Sequence, residues 1–538
     1  MTRLKSPVRV LLAALALGWV TDLLFYGNRL GVSVPIFLLF LLGALFMLGR
    51  VESVQLKHRN LWLLAPLVFF AAMVAVRANE MLTFANVTAV IVLLALLAFF
   101  YAADHIERLG MLGYPVVVGL AIGRMLTRPA PEVSTVAQSA SAHKAQLRRV
   151  APILRGIVIA LPVLIIFTAL LSSADTVFAG YLGDVFKLDL FNNMPEMLLR
   201  QVFILMATWV IAGVYFLALT RRTPENADEP DKLPGSLNPG SLFGFVEGAV
   251  VLALVNLLFI VFAWIQFTQL FSGEAARTMH FEVFREYVRR GFGELLVVSI
   301  LTMLLILGLR WMAWKETARE IRIFNGLSTL MIILAVVMLV SAFLRMIVWE
   351  GIDFYIYTQL RLYIRVFIVW LGVLFAWLLY TLWLKPNRFA IGAFVVALGF
   401  LVTINYMNPD ADVAAYNLKR NDELSVRYLH LLSDDAVPAL VAGLNSTTGD
   451  VRERLRAHLG ERLQIMDYDR NLDRWPSFHL SHWQAQEMLN KLHAAGVIKR
   501  PGEIAQLLRP EYAAQLRQWN YTTGRMRRPD YGIGYYAR

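Results

Sequence analysis

The sequence predicts an all-α protein: a polytopic transmembrane helical bundle of about eleven spans, or twelve if one ambiguous run crosses, with a small C-terminal extramembrane α-helical domain. Three observations predict it. Of 538 residues, 58% are hydrophobic and only 17% charged, and the mean hydropathy is +0.57, values outside the range of soluble globular chains. The apolar residues are gathered into runs of about 20, the length that crosses about 30 Å of hydrocarbon at about 1.5 Å per residue. Lys and Arg collect in short loops between alternate runs, the pattern of loops retained on the cytoplasmic side.

The spans fall near residues 10–26, 31–48, 61–76, 81–102, 150–171, 201–220, 242–267, 294–311, 327–348, 365–384 and 389–407. Each must be helical, because lipid satisfies no backbone hydrogen bonds. The first run follows Arg3, Lys5 and Arg9, lacks a small-residue cleavage site and is followed at once by another apolar segment, so it is expected to be a retained signal anchor with a cytoplasmic N-terminus. Alternation then keeps Arg50, Lys57 and Arg59 inside, with Arg221 and Arg222, then Arg310, Lys315, Arg319 and Arg322, and finally Lys385 and Arg388. Residues 109–126 are apolar enough for a twelfth span, but a crossing there would invert every later loop. Gly110, Gly113, Pro115, Gly119 and Gly123 also weaken a helix, so a re-entrant or surface-lying helix is expected.

The expected domains are an N-terminal group of four spans plus that helix (1–126), a cytoplasmic linker (127–149), a core of seven spans (150–408), an extracytoplasmic helical domain (409–519) and a basic tail (520–538). Asn408-Pro409-Asp410 reads as a turn leaving the last span, and amphipathic helices are expected over 412–432, 435–446, 450–465, 481–495, 501–508 and 511–519. Within Asp434-Asp435-Ala436-Val437-Pro438 an acidic cap and a first-turn proline mark a helix start.

Composition excludes several functions. With no cysteine there is no disulfide, no thiolate metal site and no cysteine nucleophile. The net charge of +12 does not indicate nucleic acid: from Pro409 onward 18 Lys and Arg face 16 Asp and Glu, so nearly all the excess lies in the membrane half, where it is topological. Five of nine histidines lie after Pro409, with His479 and His482 three apart, but no third ligand has a fixed spacing to them, and no metal is expected. No phosphate-binding loop, dinucleotide glycines or serine-nucleophile motif occurs, so no cofactor is expected either.

Charged and polar residues in or beside spans remain as candidates, since each charge costs at least about 2.5 kcal/mol at the bilayer centre unless paired or hydrated. They are Arg155, Glu247 and Asn256, Glu294 at the start of the eighth span, and Arg345 in the ninth. Together they read as a polar path, or as structural pairs and snorkelling groups at span boundaries. The richest cluster runs from Glu282 to Glu294, where Glu282, Arg285, Glu286, Arg289 and Arg290 share a helix face at spacings of three and four. An external loop is expected to be poor in arginine, so Arg289 and Arg290 are candidates for an anionic group such as a lipid phosphate, with the loop 349–365 as neighbour. Asp175 ends the fifth span in a polar turn and reads as a cap or an external acid; Asp22 near the end of the first span is a further external acid.

Four pieces of sequence carry a family likeness: Ser173-Ala174-Asp175-Thr176-Val177-Phe178, Tyr287 through Leu295, Asn408-Pro409-Asp410 with Tyr416-Asn417, and Asp435-Ala436-Val437-Pro438-Ala439-Leu440. By these the chain resembles a family of bacterial multi-pass membrane proteins described as domain of unknown function four-one-seven-three. A tryptophan-serine segment, Trp475 to Ser477 followed by Ser481, is also similar, with His479 and His482 as departures. The resemblance implies the architecture and no activity.

The expected function is that of a non-enzymatic protein of the bacterial inner membrane. It would bind membrane lipids, or an envelope protein through its C-terminal domain, in a signalling or assembly role and without nucleic acid. The alternatives are a transporter or channel for a small solute or ion, and a membrane enzyme acting on a lipid-linked substrate through Asp22, Asp175 or Glu294 with Arg289.

Overall fold

The computed structural model describes residues 5–102, 106, 109–110, 113–140, 171, 194–220, 244–271, 281–312, 317–350, 356–384, 388–419, 428–468 and 474–501. Among these every regular element is helical. The long helices are α1 (Pro7–Phe25), α2 (Ser33–Val51), α3 (Leu64–Val76, entered through the tight turn His58–Leu63), α4 (Glu80–Phe100), α7 (Met194–Leu219), α8 (Phe245–Phe271), α9 (Phe281–Met312), α10 (Ala318–Glu350), α11 (Gln359–Trp383) and α12 (Phe389–Met407). All ten, α3 counted together with the turn that leads into it (His58–Val76), are long and apolar enough to cross a membrane, and the chain is a multi-pass membrane protein. The remaining predicted span, 150–171, lies outside the described residues apart from Leu171.

Among the described residues, two helices lie between α4 and α7: α5 (Gly113–Thr127) and α6 (Pro129–Ala140). The fifteen residues of α5 extend about 22 Å, short of a bilayer. Near its start Tyr114 stacks on Phe394, 5.2 Å between centroids, and near its end Arg124 lies over Phe99 at 5.5 Å. Phe394 is in the first turns of α12 and Phe99 in the last turn of α4, so both ends of α5 meet the same end of the bundle. The helix packs against α4 and α7, and the Trp209 indole of α7 donates to the Leu126 carbonyl at 2.8 Å.

Two apolar cores fill the membrane half. One joins α1–α5 and α7 around Leu45, Leu63, Phe70, Leu93 and Tyr215; the other joins α8–α12 around Phe324, Met331, Ala335, Phe375 and Leu378. Leu82, Tyr363, Val366 and Ile404 pack between α4, α11 and α12 and connect them. Large apolar side chains such as Phe84, Leu258, Trp264 and Leu304 face outward, as a lipid solvent requires.

Among the described residues four further helices follow: α13 (Pro409–Leu418), α14 (Val437–Ser446), α15 (Gly449–Tyr468) and α16 (Leu480–Ala494), with tight turns at Asp434–Ala436 and Trp475–Ser477; the helices expected over 501–508 and 511–519 lie outside the described residues apart from Pro501. They enclose their own core of Val413, Leu440, Leu455, Leu459, Leu463 and Leu489. The expected helix over 412–432 is shorter than predicted, ending at Leu418. The expected surface helix around residues 282–294 and the eighth span are one continuous helix, α9, because neither Gly291 nor Gly293 ends it. Its neighbour loop is also shorter than expected, since α10 runs through Glu350 and α11 begins at Gln359.

The four-helix unit caps one end of the bundle, where α1, α3 and α12 finish and α2, α4 and α11 begin. The basic residues Arg50, Lys57, Arg59, Arg310, Arg319, Arg322 and Arg388 all belong to the other end.

Gly213 lets α5 approach α7 closely, because a Cβ there would overlap the Met125 backbone carbonyl. Gly213→Val is expected to lower stability by about 1–3 kcal/mol through overpacking, read as a fall in Tm of the detergent-solubilised protein, whereas Gly43→Val, at a glycine with open space around it, is expected to leave Tm nearly unchanged.

Candidate functional site

The densest buried polar cluster among the described residues lies where the C-terminal cap meets the helix ends. It begins at Asn408, whose positive φ of 52° ends α12 in the left-handed conformation that asparagine tolerates better than most residues. Its side chain accepts from the Ala411 amide at 3.3 Å, capping α13, and donates to the Asp435 carbonyl at 3.2 Å. Pro409 occupies the first turn, where no amide donor is needed. The chain thus turns from a spanning helix into the cap within one residue, and Asp410 is carried inward.

Asp410 is fully buried and accepts from the Asn79 amide group at 3.0 Å, the Ser433 backbone at 3.0 Å, the Ser433 hydroxyl and the Gln359 side chain. Asp435, equally buried, accepts from the backbone amides of Ala78 at 3.0 Å and Asn79 at 2.9 Å, and its other oxygen lies 3.9 Å from Arg77. Asn79 meanwhile caps α4 through Leu82 at 3.0 Å. These two carboxylates therefore occupy the start of α4, where free amides and the helix dipole favour negative charge. Burial pushes the Asp435 carboxyl above its ordinary range, against the lowering influence of Ser481, Arg77 and Asn79.

Arg77 joins the cap to the membrane half. Its guanidinium donates to the Asn405 carbonyl at 2.9 and 2.5 Å, and the Asn405 side chain exchanges two 2.8 Å hydrogen bonds with Asn86 inside the bundle. Asn417 makes a matching pair of 2.8 Å bonds to the Tyr357 backbone ahead of α11. On the cap side, Arg462 donates to the carbonyls of Ser433 and Leu432, and Asp434 lies between Arg462 at 3.4 Å and His482 at 2.7 Å. A second seam runs along α2 and α3: the Arg29 amide donates to the Ser477 hydroxyl at 2.9 Å, Val32 to the Phe478 carbonyl at 2.9 Å, and Ser481 to the Val76 carbonyl at 2.6 Å. Gly31 sits in this seam because a Cβ there would lie 2.6 Å from the Phe478 oxygen.

The residues singled out from the sequence are not assembled into one site. Asp175 and Arg155 lie outside the described residues, and the side chains of Arg289 and Arg290 are likewise outside them, though both positions are on α9. Glu294 is exposed on α9 and Glu247 on the first turn of α8. Asn256 is buried and donates to the Leu327 carbonyl at 3.0 Å; Arg345 is buried on α10. Eighteen residues of helix separate Leu327 from Arg345, about 27 Å, so Asn256 and Arg345 are at different depths and form no common cluster. Asp22 is held by Arg200 at 3.2 and 2.5 Å, with that guanidinium over the Tyr26 ring at 5.1 Å, which gives it a structural partner. His482 is engaged by Asp434 as described.

Arg77, Asn79, Asn86 and Asn405 were missed. A signal existed, because asparagines inside apolar runs are costly without partners, but their partners lie more than 300 positions away in the chain. An acidic cap was expected within Asp434-Asp435 at this helix start. Ser433 instead caps the tight turn Asp434–Ala436 that leads into α14, accepting from the Asp435 amide at 3.3 Å, and the Asp435 carboxylate reaches α4.

The network spans most of the stretch that is similar to a known family. Residues 64–443 match a family described as a domain of unknown function (DUF4153). The chain belongs to this family. The number given by the motif resemblance, four-one-seven-three, is thereby corrected to DUF4153. No curated protein and no solved structure matches the chain. The DUF4153 match contains Arg77, Asn79, Asn405, Asp410, Ser433 and Asp435, and it ends before Arg462, Ser477 and Ser481.

Removing one partner of a buried polar pair leaves the other unsatisfied. Asp435→Ala is expected to destabilise the junction by about 3–5 kcal/mol, read as faster tryptic release of the C-terminal fragment and a lower Tm, with Asp435→Asn much milder. The pH dependence has a definite sign. The folded pKa of Asp435 is raised above its unfolded value, so its contribution to stability is fully present below the unfolded pKa and is lost as pH rises through the folded one. Wild type is therefore expected to gain stability relative to Asp435→Asn on acidification from neutral pH through the carboxylate range, measured as the difference in Tm.

Proposed function

We propose that the protein is a non-enzymatic component of the bacterial inner membrane whose C-terminal cap is a binding platform at the outer membrane surface. What supports this reading most is the aromatic rim of the cap. Trp475, Phe478 and Trp483 are 56%, 40% and 49% exposed, on the same short segment whose Ser477 and Ser481 bond to the ends of α2 and α3. Tryptophan at the level of helix ends is the signature of the headgroup region, where an apolar body and an N–H donor are both satisfied. The cap thus presents aromatic side chains to lipid headgroups, or to a membrane-bound envelope partner, while the polar junction holds it in one orientation.

The outward orientation is supported by the basic residues at the opposite end of the bundle, which favour the cytoplasmic side. The absence of native cysteine makes a single introduced thiol a unique reporter. Glu487→Cys on exposed α16 is expected to react with a membrane-impermeant maleimide in intact spheroplasts, and Arg322→Cys at the basic end only after lysis. The reverse pattern would place the cap in the cytoplasm and end the envelope reading. A fluorophore at Trp483→Cys in liposomes is expected to be quenched most by lipids labelled at the headgroup. Absence of quenching at any depth would remove the lipid-facing role.

A further inference from the structure

Behind the junction, within the cap, three side chains converge that no part of the foregoing reading uses. His458 and Glu461 lie three residues apart on α15, so they share a face, and His430 reaches them from the segment before Ser433. The two imidazole rings have centroids 4.0 Å apart at 64°, His430 Nδ1 lies 3.8 Å from Glu461 Oε2, and one donor atom from each of the three falls within 4.8 Å of the others.

His458 is the informative member. It is 4% exposed, and neither ring nitrogen has a hydrogen-bond partner among the described residues. A buried imidazole with both nitrogens idle forfeits the hydrogen bonds it would make to water, a cost that ordinary packing does not offset. Burial, with Arg462 and His430 nearby, also holds its pKa well below the usual histidine range, which keeps the ring neutral. Arg462 donates to the Leu432 and Ser433 carbonyls and so is committed to the junction.

We propose that His430, His458 and Glu461 bind a divalent transition-metal ion of the zinc class, linking α15 to the segment that enters the junction. Two imidazoles and a carboxylate are a donor set that suits zinc, with a fourth position left for water. Tetrahedral ligands at about 2.0–2.1 Å lie about 3.3 Å from one another, so His430 and Glu461, 3.8 Å apart, need only a small closure, and the full set, now within 4.8 Å, closes by at most about 1.5 Å through side-chain rotation. His430 and Glu461 are partly exposed, which gives the ion a way in. The expectation of no metal rested on His479 and His482; the pair that matters is His458 with Glu461, and its third ligand is 28 positions upstream.

The test uses the full-length protein in detergent, stripped with a chelator and titrated with zinc alone by calorimetry, with cobalt as a spectroscopic probe. Wild type is expected to bind one equivalent of zinc, to gain Tm with it, and to give cobalt the intense visible bands of a tetrahedral site. His430→Ala and Glu461→Gln, both at partly exposed positions, should keep the metal-free Tm and each weaken zinc binding by at least about tenfold. His493→Ala should bind as wild type does. No zinc binding by folded wild-type protein, or binding unchanged in His430→Ala and Glu461→Gln, overturns the proposal.

Discussion

Two carboxylates buried at the end of a membrane bundle set the terms for the rest of this structure. Asp410 and Asp435 are removed from water, and that is tolerable only because backbone amides at Ala78, Asn79 and Ser433, side chains of Asn79, Gln359 and Ser433, and the Arg77 guanidinium surround them. The start of α4 has free amides that need acceptors, and the cap supplies them from a chain position more than 300 residues later. Each side supplies partners to the other, with Asp435 Oδ1 left to the Arg77 guanidinium at 3.9 Å. Such a network is tolerant of one register only, since a shift of a single residue would leave charge and amides unpaired together.

The contrast with the membrane interior explains why so few polar groups matter there. Helices in lipid gain little from burying apolar surface against one another, so packing and scattered hydrogen bonds choose the neighbours. Asn86 with Asn405, Asn256 with the Leu327 carbonyl, Asn325 with the Leu382 carbonyl, and Trp370 with Thr403 each tie one helix to another. Arg200 with Asp22 does the same for α7 and α1 near the capped end. Among the described residues these contacts are dispersed rather than convergent.

The spans were legible in the sequence because one physical quantity, about 30 Å of hydrocarbon, imposes length and hydropathy together. The turn at Asn408-Pro409-Asp410 was equally legible, as local backbone chemistry. What could not be read was destination. Asp435 carries every local mark of a helix cap, yet its carboxylate serves α4, and nothing near it in sequence indicates Ala78 or Asn79. The ion-paired run ahead of Glu294 looked like a separate surface helix because apolar residues mark a span and charged residues mark its end, whereas the helix itself continues through Met312. His458 and Glu461 show their spacing plainly, but three ligands require a third that only the tertiary structure supplies.

Docking of the cap through these carboxylates can be measured amide by amide. Hydrogen exchange on the full-length protein in nanodiscs reports Ala78 and Asn79, whose amides donate to Asp435, separately from the cap's own helices. Slow exchange at both amides in wild type is expected, with fast exchange in Asp435→Ala while α14, α15 and α16 keep their protection. Fast exchange at Ala78 and Asn79 in wild type, or exchange unaffected by Asp435→Ala, would contradict a cap held on the helix ends by buried carboxylates.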